Sequence, residues 1–201
     1  MNSNTLFNFL VKLQAITKIG LLYSTDPYAI RNYQEIQSLT LSMLEDMEAI
    51  RLDRNNYFER DVYPTPNVSV RTIIFNEQDE FLMVREKQDG GFSFPGGWAD
   101  LYDSPTEAAI RESKEEAGAD IKIEGVVALL NRTPLKEPTL VPEYVIVFKA
   151  KLVSLNGFFD HEITEVGWFK RHTLPVLSRK VTKTEIERML DAALANIIIY
   201  D

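Results

Sequence analysis

The residues best suited to chemistry lie in GGWADLYDSPTEAAIRESKEEAGAD, Gly96 to Asp120. Near its end RESKEEAG places Glu112, Glu115 and Glu116 within five positions. On a helix, residues three and four apart share a face, so all three carboxylates crowd one patch. Like charges at that spacing repel. A solvated acidic face is the ordinary meaning of such a run, and Arg111 with Glu115 has the i,i+4 spacing of a surface pair. A solvated face, however, interleaves its signs, whereas Glu112 and Glu116 are both negative. Upstream, FPGGW is a glycine-rich turn that lets backbone carbonyls and N–H groups approach a ligand. Clustered carboxylates beside open backbone suit a hard, oxygen-seeking cation such as Mg²⁺ or Mn²⁺.

Composition narrows the setting. The chain has 201 residues, 45% of them hydrophobic and 26% charged, enough for one domain plus a small appendage with a packed core. The absence of cysteine excludes disulfides and thiolate metal sites and makes a reducing, cytoplasmic setting the expectation. The apolar N-terminus is interrupted by Lys12 and Lys18, has no basic start and no small-residue cleavage site, and reads as neither signal peptide nor membrane span. A net charge of −8 repels nucleic acid and free nucleotides alike, so nucleic acid is an unlikely partner. A phosphate-bearing substrate would need a local inversion of the field, which a bound divalent cation supplies.

The elements that position the acidic patch follow from periodicity. Residues 1 to about 63 read as helical. Leu6, Phe9, Leu10, Leu13 and Ile16 recur at helical spacing in a first helix, and Asp26-Pro27 starts a second with Ile36, Leu39, Met43, Met47 and Ile50 on one face. So thin a hairpin must pack on the rest of the chain or on a second copy, and a homodimer is expected. YPTPN, Tyr63 to Asn67, divides a helical domain over 1–63 from a second domain over 64–201. Thereafter the period becomes two: VSVRTIIF and EFLMVRE flank NEQD as a hairpin, and strands are predicted near 121–131, 143–153 and 165–170. The acidic helix has Ser104 as cap, Pro105 at its first position, Glu107 to complete a capping box and Gly118 as stop. Ala109, Ile110, Ser113 and Ala117 form its opposite, mostly small stripe, which lets it sit close to a sheet. TKTE at Thr182 caps a last helix. The fold class is α+β, with a helical N-terminal extension.

Gly97, Asp103 and RESKEEAGA together resemble the signature of the Nudix hydrolases, with Asp103 where that family usually has Glu and with Ser113 and Ala119 at its apolar positions. GLLYSTDPYAIRNYQEI, the proline-rich link and VRTIIF…REK…FPGGWAD resemble the subfamily with an N-terminal helical domain, described as hydrolases of nucleoside diphosphates linked to another moiety, X, such as ADP-ribose and CDP-choline. The resemblance implies an α/β/α sandwich around a mixed sheet. It implies Mg²⁺ or Mn²⁺ held by Glu112, Glu115, Glu116 and the Gly96 carbonyl, Arg111 braced by Asp103, and attack of water on a diphosphate to give a nucleoside monophosphate and phospho-X. The loop before the last strand offers Asp160, Glu162 and Glu165; Glu162 is the expected general base or extra ligand, Glu165 is expected to be structural, and His161 merely exposed.

Arg71 alternates onto the face of Ile73 and Phe75, opposite Val70 and Ile74, and could hold a phosphate bidentately, or be a snorkelling edge residue. Arg85 and Arg132 are weaker candidates for the same role. Trp98 could stack on a base or on X, although core packing is the favoured reading. Pro134 lies where an ADP-ribose-type enzyme has a proline. The alternatives to an X-linked diphosphatase are a nucleoside triphosphate or RNA-end pyrophosphohydrolase and a non-hydrolysing nucleotide sensor. No basic groove favours RNA, and a sensor is expected to lose glutamates that are all present here.

Overall fold

The computed structural model describes residues 3–48, 63–100, 103–132 and 142–201. Contacts divide the chain into two compact units, one of residues 1–66 with 136–142 and the other of residues 67–135 with 143–201.

The N-terminal unit contains α1 (Ser3–Tyr23) and α2 (Pro27–Glu48). Asp26 caps α2 by accepting from the Tyr28 N–H at 3.1 Å. The seam between the helices buries Phe7, Leu10 and Val11 against Leu44. It also buries Gln14, whose amide donates to Thr40 Oγ1 and the Gln37 carbonyl. This corrects the expected apolar faces. Phe9, Ile16, Ile36, Leu39 and Met43 point outward, because the inward row is set by Leu10, Gln14, Thr40 and Leu44. Ile50 lies outside the described residues. By length and composition Thr5–Tyr23 is apolar enough to cross a bilayer; one face of that helix packs on α2.

The second unit is built on a seven-stranded mixed sheet ordered β3-β2-β1-β5-β4-β7, with β6 also pairing β2. Its strands are β1 (Asn67–Phe75), β2 (Phe81–Glu86), β3 (Phe92–Ser93), β4 (Ala119–Asn131), β5 (Glu143–Leu155), β6 (Ile163–Phe169) and β7 (Ile199–Tyr200). β1 runs parallel to β5, β7 parallel to β4, and the other pairs are antiparallel. Side chains alternate between faces. Val70 packs with Ala108 and Ala109 of α3 (Pro105–Ala117), and Ile74 with Ala117 at its end. Ile73 and Phe75 face the other way, into the core formed with Ile186, Met189 and Leu190 of α4 (Lys183–Ala195). The two helices therefore cover opposite faces of the sheet, giving the α/β/α sandwich.

The expected hairpin closes only at its turn. β1 and β2 share one register pair, Phe75 with Phe81, and then part. One edge of β2 is followed by β6, and the other passes from β1 to β3. Into the gap comes Pro95 to Ala99, which hydrogen-bonds β1 through Val70 N to Gly97 O, Thr72 N to Pro95 O and Ala99 N to Val68 O, at 2.9–3.0 Å. The glycine turn is thus held as an extra strand beside β1.

Both capping boxes are present. At α4, Thr182 Oγ1 accepts from Glu185 N at 3.2 Å and Glu185 accepts from Thr182 N at 2.8 Å. Thr182→Ala removes one of these bonds. The expected cost is ~1 kcal/mol, a fall of about 2–4 °C in Tm, read by thermal denaturation. An unchanged melting temperature would show that the cap contributes nothing.

Candidate active site

The acidic helix lies against β1 with its caps in the predicted places: Ser104 accepts from Glu107 N, and Gly118 ends the helix in the left-handed region at φ 61°. Ala108, Ala109, Ser113 and Ala117 face the sheet, while Ile110 turns outward, 40% exposed. Small residues on the inner face let the outer carboxylates overhang the glycine turn.

That overhang bears on Gly97, and the backbone of β1 on Gly96. At Gly97 a Cβ would stand 2.8 Å from the Glu112 carboxyl group. At Gly96, where φ is 145°, a Cβ would stand 2.1 Å from the Val70 carbonyl oxygen. Gly96 admits no side chain because the β1 backbone lies against it in a conformation that L side chains rarely adopt, whereas at Gly97 a side chain would displace the Glu112 carboxyl group.

Arg111 gathers the acids. Its Nε donates to Asp103 at 3.1 Å, and its other nitrogens reach Glu112 at 2.8 Å, Glu115 at 3.1 Å and Asp100 at 3.3 Å. The shorter Asp103 therefore reaches the arginine. Burial alone would lower the Arg111 pKa, but the Asp103 hydrogen bond and the Glu112 charge raise it above its ordinary value. Glu115 is half exposed. Glu112 is mostly buried; burial raises its pKa, Glu115 adds to the rise, and Arg111 opposes it.

Glu116 is the deepest of the three, 7% exposed. It accepts from the Gly96 N–H at 2.7 Å. Burial pushes its pKa up to about 7, against the Arg71 charge and the Gly96 bond and with help from Glu86 and Glu112. On the other side of Gly96, the Arg71 guanidinium donates to the Gly96 carbonyl, and at 3.1 Å to that of Val70. Arg71 does face the Ile73 side of β1 as expected, but it is buried and turned onto backbone, not snorkelling at an edge.

Behind Arg71 lies a buried polar belt that periodicity could not reveal. Glu86 accepts from Ser93 at 2.9 Å and from Lys180 at 2.6 Å. Glu143 accepts from Ser69. Arg132, 1% exposed, donates to Glu185 at 2.9 Å and approaches Glu143 at 3.5 Å. The partners come from β1, β2, β3, β5, α4 and the segments just after β4 and just before α4, so only the folded topology joins them.

The remaining candidates are spread around this centre. Arg85 pairs with Glu165 at 3.1 Å and lies over the Phe92 ring, on the β2–β6 side. Glu165, on β6, is the exposed partner in that pair. Asp160 ties its loop to α3 through a 2.8 Å bond from its N–H to the Glu115 carbonyl. Its carboxylate accepts from Glu162 N, and the Glu162 side chain stays exposed, as does His161. Trp98 is 52% exposed, not packed in the core; the Ser69 bridge and the Arg111 bond to its carbonyl fix its backbone and leave the ring outward. Pro134 lies outside the described residues.

Among the described residues no three acidic groups already converge as a metal site. The donor chemistry nevertheless fits a hard divalent cation. Glu112 and Glu116 are buried with raised pKa values, Glu115 is beside them, and the glycine turn leaves open the space that a Cβ would fill. The Gly96 carbonyl accepts from Arg71 with one lone pair and has another.

Residues 65–191 match the family model described as the NUDIX domain, and residues 4–54 match the "UDP-X-like, N-terminal oligomerisation domain". Among solved structures, the whole chain aligns with 99% of a UDP-X diphosphatase at 26% identity and TM-score 0.63. A Streptococcus suis ADP-ribose pyrophosphatase covers 68% of the chain, is itself 98% covered, and is 30% identical with TM-score 0.59. A Bacillus subtilis (strain 168) protein named "Putative ADP-ribose pyrophosphatase YjhB" is 29% identical over 90% of the chain and 88% of its own length.

The buried Glu116 carboxyl makes a prediction for the chelated, metal-free protein. Its folded pKa lies above the ordinary 4.5, so the folded state binds the extra proton. Its destabilising effect is absent below pH 4.5, grows to about pH 7 and then levels. Glu116→Gln removes it, so the variant should gain ~1–3 kcal/mol on the parent between pH 4.5 and 7.5. Urea denaturation at both pH values checks this; a constant difference would refute it.

Proposed function

Because the chain belongs to the Nudix hydrolase family, we propose that it hydrolyses nucleoside diphosphates linked to another moiety, of the UDP-X and ADP-ribose type, with CDP-choline in the same class. The observation that carries this reading is the face of α3, where Glu112 and Glu116 are partly desolvated against a glycine turn whose missing Cβ at Gly97 leaves the Glu112 carboxyl its place. The names of the full-length relatives support the substrate class.

In this reading Glu112, Glu115 and Glu116, with the Gly96 carbonyl, would hold Mg²⁺ or Mn²⁺. When bound, such ions neutralise the diphosphate and acidify a water. The protein's own part is positioning. Arg111 keeps Glu112 and Glu115 in register on one face, and its bonds to Asp103 and Asp100 fix its own fork. Glu162, carried on the loop tied to the end of α3, is the assigned proton acceptor for the attacking water. Trp98 offers an exposed ring beside the carboxylates on which a base or X can stack. Arg85, partly exposed, remains available to an outer phosphate. Arg132 has no place in substrate binding here, since its guanidinium is committed to Glu185 and Glu143.

The helical unit is assigned to homodimer formation. Phe9, Ile16 and Tyr23 recur at seven-residue spacing along the outer side of α1, and Ile36, Leu39 and Met43 are exposed on α2. The cytoplasm, with no disulfide to form, is the assigned setting.

A panel of ADP-ribose, a UDP-sugar, CDP-choline and a nucleoside triphosphate, with and without Mg²⁺ or Mn²⁺, tests the activity. Metal-dependent release of a nucleoside monophosphate is expected, with kcat lower by roughly 10²–10³ in Glu116→Gln. Cleavage of the triphosphate alone would overturn the substrate class. Light scattering tests the assembly: the parent should run as a dimer and the Phe9→Glu, Ile16→Glu double variant as a monomer. A monomeric parent would remove the dimer.

A further inference from the structure

Arg71 sits where an arginine is costly. It is 6% exposed, and among the described residues its guanidinium meets no carboxylate within ion-pair distance. Its donors go to two backbone carbonyls, and its Nε finds no partner. A buried charge without a direct counter-ion is disfavoured, so its neighbours must compensate at longer range. One of those neighbours is Glu116, which is likewise buried and likewise meets only backbone. Gly96 stands between them, giving its N–H to Glu116 and its carbonyl to Arg71.

We propose that Arg71 is a built-in competitor of the divalent cation: it supplies the positive charge that Glu116 needs in the metal-free protein and thereby weakens metal binding until the anionic diphosphate arrives. This rests on the assignment of Glu116 as a metal ligand. A cation on Glu116 faces a fixed positive charge across a single residue, whose carbonyl Arg71 already engages. Diphosphate, being negative, relieves the repulsion, so metal and nucleotide bind together more tightly than either alone. Arg71 is then a positioning residue whose effect is seen first in metal affinity. At an effective dielectric near 20, a unit charge and a dication closer than roughly 20 Å change affinity by about tenfold or more.

The test is calorimetric titration of nucleotide-free protein with Mn²⁺. Arg71→Gln and Arg71→Met, two neutral variants with different packing, should each bind Mn²⁺ about tenfold more tightly than the parent. Arg71→Lys, which keeps the charge, should stay within about twofold. In chelator the neutral variants should melt lower than the parent, yet gain more from added Mn²⁺. Neutral variants tightened by less than about threefold, or a lysine variant tightened as much as they are, would overturn the proposal. A parent that binds no Mn²⁺ would overturn the metal assignment as well, whereas a parent that binds while the neutral variants do not tighten overturns this inference alone.

Discussion

Repulsion among carboxylates on one helix face is the constraint around which the second unit is arranged. Left to itself, that repulsion would turn the face of α3 out into water, where solvent screens it. Instead the helix is pressed against β1 by small residues, and Glu112 and Glu116 are carried into a partly dry seat. Each neighbouring feature answers to this. Arg111 collects four acids into one fork, Gly97 leaves room under Glu112, Gly96 offers its N–H to Glu116, and Arg71 sends positive charge from the far side of the turn. None of these is a full neutralisation. The surplus negative charge leaves the face chemically suited to a hard divalent cation.

The parts of this legible in the sequence are those written in short-range code. Caps, the proline at the first position of α3 and the glycine stop act within a turn, so Ser104, Glu107 and Gly118 could be named from spacing alone. Alternation along β1 put Arg71 on the correct face. What spacing could not supply was depth. Arg71 in β1 and Arg132 just past β4 both look like surface cations, yet both are buried, because partners from β5, α4 and the glycine turn close over them. Glu86 and Lys180 escaped notice for the same reason: ninety-four residues separate them, and only the packing of the α4 approach on β2 brings them together.

The helical hairpin shows the opposite failure. Its apolar residues are abundant on several sides, so periodicity alone left the inward face ambiguous. Gln14 and Thr40, polar and so outside the apolar pattern, mark the true seam, where the Gln14 amide donates to the Thr40 hydroxyl out of reach of solvent. The larger apolar residues left outside are what an associating surface needs.

The parting of β1 from β2 also bears on when the site comes into being. β1 finds its long partner in β5, Asn67 opposite Glu143 and Phe75 opposite Lys151, rather than in the strand that follows it. During synthesis on the ribosome the glycine turn and the acidic helix emerge before the strand that fixes β1 has been made. Pairings this distant along the chain form slowly. The seat of the carboxylate face on β1 is therefore completed only once β5 has been made.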